Sequence, residues 1–280
     1  MYENQRKANG KKENKFITFI KTHPKLSVFL GIIILFFLAF GGTTLVLNVT
    51  NPKEVQLPNV VGLSQEEAKQ KEIEKQAKIP KLTEQGKENI KNIYHTDKKV
   101  AYLTFDDGPS NNTHQILDIL KQNNIKATFF VLGSQVEIFP ETTNRIYNEG
   151  HYIANHGYSH NYTNIYQTPQ SVVDEFNATE AAIKNALGNQ EYNSYLFRFP
   201  GGMPGGKHAQ LKAEAAQILE QNGVAHLDWN ALTSDAAGAK TSEEMLQNAI
   251  STIGEKNSVV ILMHDAQAKR VTVEFLPKLI

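Results

Sequence analysis

The chain has 280 residues, 40% of them apolar and 21% charged, which is enough to bury one full-sized core with attachments. Its 29 Lys and Arg balance 29 Asp and Glu, so the overall charge offers no basis for nucleic acid as a partner of the whole molecule. There is no cysteine, which excludes disulfides and thiolate nucleophiles and confines any metal to His, Asp or Glu.

Residues 1–25 form a basic tail, with Arg6, Lys7, Lys11, Lys12, Lys15, Lys21 and Lys25 against Glu3 and Glu13. Residues 26–50 carry no charge and are almost purely apolar from Val28 to Phe40, long enough for one spanning helix of about 20 residues. The positive-inside rule then places the N-terminus in the cytoplasm and everything after residue 50 outside the cell, as a single-pass membrane protein. The apolar run exceeds the usual signal-peptide core of about 7–15 residues and no A-x-A site follows it, so an uncleaved anchor is expected. A buried core helix would show a polar face, and this segment has none.

Residues 51–97 are rich in Lys, Glu and Gln and punctuated by Pro52, Pro58 and Pro80, the composition of an extracellular linker. Within it, Ser64 to Glu67 is a capping-box pattern that predicts a short helix through Ala77. From Lys98 the pattern becomes regular. Strands are expected at Val100–Phe105, Ala127–Leu132, Tyr152–Asn155, Tyr195–Phe199, Val224–Trp229 and Ser258–Met263, with amphipathic segments between them. Helix signals include the apolar spacing in His114–Lys121, the cap Thr168-Pro169 and the capping box Thr241 to Glu244. This alternation argues for a parallel α/β sheet or barrel over residues 98–280. A last apolar helical pattern, Val273, Phe275, Leu276, Leu279 and Ile280, stops where one more strand is expected, as though the chain were cut short.

In parallel α/β barrels the chemistry gathers at the C-terminal ends of the strands. Here those ends carry Asp106-Asp107, His156, Arg198 with Pro200-Gly201-Gly202, Asp228-Trp229 and His264-Asp265. His156 and His160 are spaced to aim both imidazoles at one point if the backbone is helical, and a nearby carboxylate would complete a hydrolytic metal site with open positions. Of the adjacent aspartates, one suits the metal and the other a proton, since neighbouring side chains on an extended strand end point apart. An Asp-Gly-Pro turn would account for one aspartate but not both. His264, after the apolar run 259–263, suits a general acid, with a structural histidine as the alternative. His23, His95, His114, His151, His208 and His226 lack such a pattern and are read as surface or structural.

Together, Thr104-Phe-Asp-Asp-Gly-Pro109, His156-Gly-Tyr-Ser-His160, Arg198-Phe-Pro-Gly-Gly202, Asp228-Trp229 and Leu262-Met-His264 resemble the five ordered motifs of the NodB-like polysaccharide deacetylases, carbohydrate esterase family four. The resemblance implies a deformed (β/α) barrel that hydrolyses N-acetyl groups of an envelope polysaccharide, peptidoglycan first. It implies Asp106 as general base, Asp107, His156 and His160 as ligands of a divalent metal (zinc first, cobalt or another ion as alternatives), and Arg198 as the partner that orients Asp106. The Gly201 N–H would stabilise the oxyanion and His264 would protonate the leaving amine, with no covalent intermediate. Pro200, Trp229 and Leu262 would line the substrate site.

Two positions depart from the family pattern. Gly157 stands where Ser or Thr is usual, and the acidic partner of His264 is either Asp228, which is favoured, or Asp235. Residues 57–68 also resemble the start of a PASTA repeat, a module associated with wall peptidoglycan, although a solvated helical linker explains them as well. The rival readings are an O-acetyl esterase on a xylan-like polymer, a non-catalytic wall-binding protein, and a non-haem iron oxygenase, in which Asp106 and His264 would have no task. No obligate protein partner is evident.

Overall fold

The structure, a computed structural model, describes residues 83–280. The basic tail, the apolar segment 26–50, the PASTA-like stretch and the short helix expected within the linker lie outside the described residues. Among the described residues no helix is long and apolar enough to cross a membrane.

The chain runs α1 (Glu84–Lys91), β1 (Val100–Asp106), α2 (Asn111–Gln122), β2 (Thr128–Val131), α3 (Gly133–Ile138), α4 (Pro140–Asn148), β3 (Tyr152–Asn155), α5 (Tyr162–Ile165) and α6 (Pro169–Leu187). It continues β4 (Leu196–Phe197), α7 (Ala209–Gln221), β5 (Ala225–His226), β6 (Ala231–Leu232), α8 (Ser242–Ile253), β7 (Ser258–His264) and α9 (Arg270–Leu279). The strands make one seven-stranded sheet in the order β5-β4-β3-β2-β1-β7-β6, and every pairing is parallel. The consecutive strands β5 and β6 are its two edges, and no ladder joins them. The sheet is thus an open, deformed (β/α) barrel, as the sequence predicts.

Leu227–Asn230 carries the chain from one edge to the other. It is pinned at its far end, where the Asn230 side chain donates to Ser258 O at 2.9 Å and accepts from Val260 N at 2.8 Å. Strand alternation divides the core into two faces. Leu103, Phe105, Phe129, Ile153, Ile261 and Met263 pack against the helices, with Phe105 stacked on Phe129 at 5.1 Å. Phe130, Ala154, Leu196, Leu227 and Val260 fill the concave face. Removing a ring as buried as Phe105 is expected to destabilise by about 3–5 kcal/mol.

The helices start where side chains satisfy their first N–H groups. Thr168 caps α6 with Pro169 next, and Thr241 and Glu244 form the capping box of α8. α2 begins ahead of the expected His114 because the Ser110 and Thr113 hydroxyls cap each other's backbone, in a sequence without the usual Glu or Gln.

Three further differences have local causes. β4 and β5 pair over only two residues each, because beyond Phe197 and His226 the chain turns to the site and its backbone groups bond to side chains. β6 is too short to show a period in sequence. Part of the expected linker belongs to the body: Ile90 of α1, with Ile93 and Tyr94, packs into the concave face, and Ser258 donates a hydrogen bond to Ile93 O at 2.5 Å.

Candidate active site

The C-terminal ends of β1, β3, β4 and β7 bring the expected residues together. β1 and β7 run in register from Val100↔Ser258 to Asp106↔His264. With a period of two, Thr104, Asp106, Leu262 and His264 therefore share the concave face. After β1 the backbone turns sharply: Asp107 has φ 72°, and Gly108 packs so closely on the Asp265 carboxylate that a Cβ there would collide with it.

Asp107 Oδ1 lies 3.5 Å from His156 Nε2 and 3.5 Å from His160 Nε2. One donor atom from each of the three residues falls within 4.8 Å of the others, the span of a shared cation. Asp107 Oδ1 is buried and has no hydrogen-bond partner. An orphaned carboxylate oxygen facing two imidazole nitrogens fits a divalent metal, and two His with one carboxylate suit a borderline ion such as zinc. His156 is presented by its Nδ1, which donates to Arg198 O at 2.7 Å and leaves Nε2 as the free donor atom. Burial, which outweighs the nearby Asp107 charge, pushes His156 down to about 3, so it is neutral and ready to ligate.

The four-residue histidine spacing does not work through a helix, and that expectation is corrected. Residues 156–160 form a loop in which Gly157 has φ 82° and His160 φ 53°. The loop is held from below by Glu175 on α6, whose carboxylate accepts from Tyr158 N at 2.6 Å, Ser159 N at 2.7 Å and the Ser159 hydroxyl at 2.6 Å. Gly157 N donates to Asn155 Oδ1 at 2.9 Å, and a Cβ at Gly157 would press on Ile165 at 3.1 Å. Glycine at this position suits the loop's left-handed turn, and Glu175 supplies the bracing. Nothing in the sequence marks Glu175, because the contact joins a loop to a helix face.

Arg198 is fully buried and spends its donors on the base side of the site. It donates to Asp106 Oδ1 at 2.7 Å, Thr104 Oγ1 at 2.9 Å, Leu227 O at 2.9 Å and Asp228 O at 3.0 Å, and its plane lies over Phe130. Burial raises the Asp106 carboxyl above its ordinary value, against the opposing charge of Arg198. Its Oδ2 is 3.7 Å from His156 Nε2 and so faces the ligand cluster.

His264 is paired with Asp235, and the expected pairing with Asp228 is corrected. Asp235 Oδ1 bonds His264 Nδ1 at 2.9 Å, and Oδ2 accepts from His264 N at 2.7 Å and from Thr272 Oγ1 at 2.9 Å. Burial disfavours the imidazolium, but the Asp235 hydrogen bond and charge overcome it and push His264 up to about 9. Asp228 instead accepts from Met203 N with both oxygens, at 3.1 and 3.0 Å, and so anchors the Gly201–Met203 turn.

Gly201, with φ 75°, is exposed, and no backbone hydrogen bond among the described residues uses its N–H. The buried Pro200 accepts the Tyr166 hydroxyl at 2.7 Å through its carbonyl. Trp229 packs by Gly202, where a Cβ would meet its ring at 3.0 Å, and Leu262 is buried on the face that carries His264. Asp265, unassigned from sequence, accepts from Thr113 Oγ1 at 2.5 Å and takes Ser110 Oγ on its own carbonyl at 2.5 Å, bracing the turn after β1. Burial pushes its carboxyl up to about 7.

A peptidoglycan-N-acetylglucosamine deacetylase of Bacillus cereus is 34% identical over 210 residues, 73% of this chain and 73% of that one. Residues 93–227 match the model of the polysaccharide deacetylase family. The chain belongs to the polysaccharide deacetylase family. Among solved structures, this deacetylase is similar to a Streptococcus mutans CE4 esterase, with TM-score 0.62 and 31% identity over 69% of this chain and 84% of that one. It is also similar to the catalytic domain of a peptidoglycan N-acetylglucosamine deacetylase from Eubacterium rectale, with TM-score 0.58 and 30% identity over 66% of this chain and 86% of that one. The deacetylase is accordingly a hydrolase of N-acetyl amide bonds.

Proposed function

We propose that this deacetylase removes acetyl groups from N-acetylglucosamine units of cell-wall peptidoglycan, using a divalent metal, zinc first, held by Asp107, His156 and His160. The observation that carries the reading is the buried, unpartnered Asp107 Oδ1, 3.5 Å from both imidazole nitrogens, flanked by a carboxylate–guanidinium pair and an imidazole–carboxylate pair. The B. cereus relative, whose own name gives this substrate, supports the choice of polymer.

When bound, the metal supplies a Lewis acid for the acetamide carbonyl. Arg198 fixes Asp106 Oδ1 and leaves Oδ2 free to take a proton from the attacking water. The exposed Gly201 N–H donates to the oxygen that gains charge as the carbonyl is attacked. His264, held protonated by Asp235, gives its proton to the sugar nitrogen as the C–N bond breaks, so that acetate and the free amine leave. Trp229, Leu262 and Pro200 line the acetyl and sugar side. The basic tail and the apolar segment 26–50 support a body tethered outside the cell membrane by one N-terminal anchor.

The test is acetate release by the full chain from a GlcNAc oligomer, peptidoglycan and O-acetylated xylan, with and without added zinc or cobalt, with Asp107→Ala as control. Metal-dependent release from the two GlcNAc substrates, lost in the variant, is expected. Release from xylan alone would replace the amidase with an O-acetyl esterase, and wall binding without release would make the barrel a non-catalytic module.

A further inference from the structure

Tyr162 begins the short helix α5 directly after the metal-ligand loop, and it is 46% exposed although it stands among the site residues. One edge is set against the ligand His160, with ring centroids 5.6 Å apart and planes at 68°. Its ring stacks on Tyr166 at 5.6 Å and 30°. Tyr166 is itself buried, stacks on His208 at 5.1 Å, donates to Pro200 O at 2.7 Å and lies under the Lys212 ammonium at 5.0 Å. Lys212 in turn donates to Gly202 O at 2.6 Å. The exposed ring therefore rests on an immobilised stack.

The hydroxyl end of Tyr162 reaches over Gly201, where an added Cβ would sit 2.6 Å from the oxygen. Tyr162 thus borders both the ligand cluster and the candidate oxyanion donor. An apolar ring held open to solvent at the rim of a polar cleft loses little entropy on binding, and the flat C–H face of a pyranose complements it.

We propose that Tyr162 is a specificity-determining residue that stacks on a sugar ring of the bound polymer and selects acetylated pyranose chains over single sugars. The proposal rests on the reading of the substrate as an N-acetylated glycan, and it assigns Tyr162 to a sugar beside the one that is deacetylated.

The test compares wild type, Tyr162→Ala and Tyr162→Phe as full-length, zinc-loaded protein. KM and kcat are measured on GlcNAc and its tetramer, and tetramer binding is measured by calorimetry in an Asp106→Asn background. Tyr162→Ala is expected to raise the tetramer KM and Kd about tenfold with kcat nearly kept, to change the monomer KM far less, and to be rescued by Tyr162→Phe, which keeps the ring. An unchanged tetramer Kd in Tyr162→Ala, or equal losses on monomer and tetramer, overturns the proposal. A wild type that binds the tetramer without releasing acetate overturns the reaction but leaves the Tyr162 comparison decisive through binding. A wild type that does not bind the tetramer overturns both.

Discussion

Asp106 and His264 are register partners at the ends of the adjacent parallel strands β1 and β7, and each is held by its own buried partner, Arg198 for one and Asp235 for the other. The two environments push in directions that suit a base and an acid. A buried carboxylate with a raised pKa accepts a proton well, and an imidazole pushed up to about 9 arrives protonated at neutral pH.

Activity that needs protonated His264 is present below its pKa and lost as pH rises through about 9. Asp235→Asn removes the hydrogen-bonded charge, so the alkaline limb of kcat/KM is expected to move down by at least about one pH unit. Asp228→Asn is expected to leave that limb in place and to lower kcat, because Asp228 holds the Gly201–Met203 turn that presents the Gly201 N–H. A pH profile of acetate release distinguishes the two. The same shift bears on stability: the contribution of the Asp235–His264 pair is full below the unfolded histidine value of about 6.5 and is lost as pH rises through the folded value.

Arg198→Met leaves the Asp106 carboxylate buried without its partner and strips donors from Leu227 O and Asp228 O. A loss of about 3–5 kcal/mol is expected, read as a lower midpoint in denaturant, together with near-complete loss of acetate release. Asp106→Asn, which keeps the shape and a hydrogen-bonding oxygen, is expected to abolish release while zinc still binds.

Glu175→Gln keeps the volume beneath the 156–160 loop but removes the charge that takes three of its donors. Zinc affinity measured by calorimetry is expected to fall about 10–100-fold, with only a small change in melting temperature. An unchanged affinity would mean that Gly157 and Asn155 suffice to hold the loop.

His151 is buried, accepts Ala127 N on Nδ1 at 3.1 Å, and is pushed down to about 4 by burial and then by Lys126. A depressed pKa gives stability that is full above the unfolded value of about 6.5 and is lost as pH falls towards and through the folded value. Thermal midpoints of the wild type are expected to drop between pH 6.5 and 4. His151→Gln, which can still accept the hydrogen bond without gaining charge, is expected to flatten part of that drop.

Much of this protein was legible in the chain because its signals are local. Apolar runs of strand length, hydroxyl and proline caps, and charged residues placed at strand ends are properties of short windows, and a parallel sheet converts strand-end position into shared location. Asp106, Asp107, His156, His160, Arg198 and His264 could therefore be placed in one site before any coordinates. What needed the tertiary structure is what depends on direction between distant segments. By sequence Asp228 is the favoured partner of His264 over Asp235, and only the path of the chain from β5 through and beyond β6 turns Asp228 to Met203 and Asp235 to His264. The loop geometry of His156 and His160, the clamp by Glu175 and the packing of Ile90 and Tyr94 into the concave face were equally hidden, since each depends on contacts between elements that no spacing encodes.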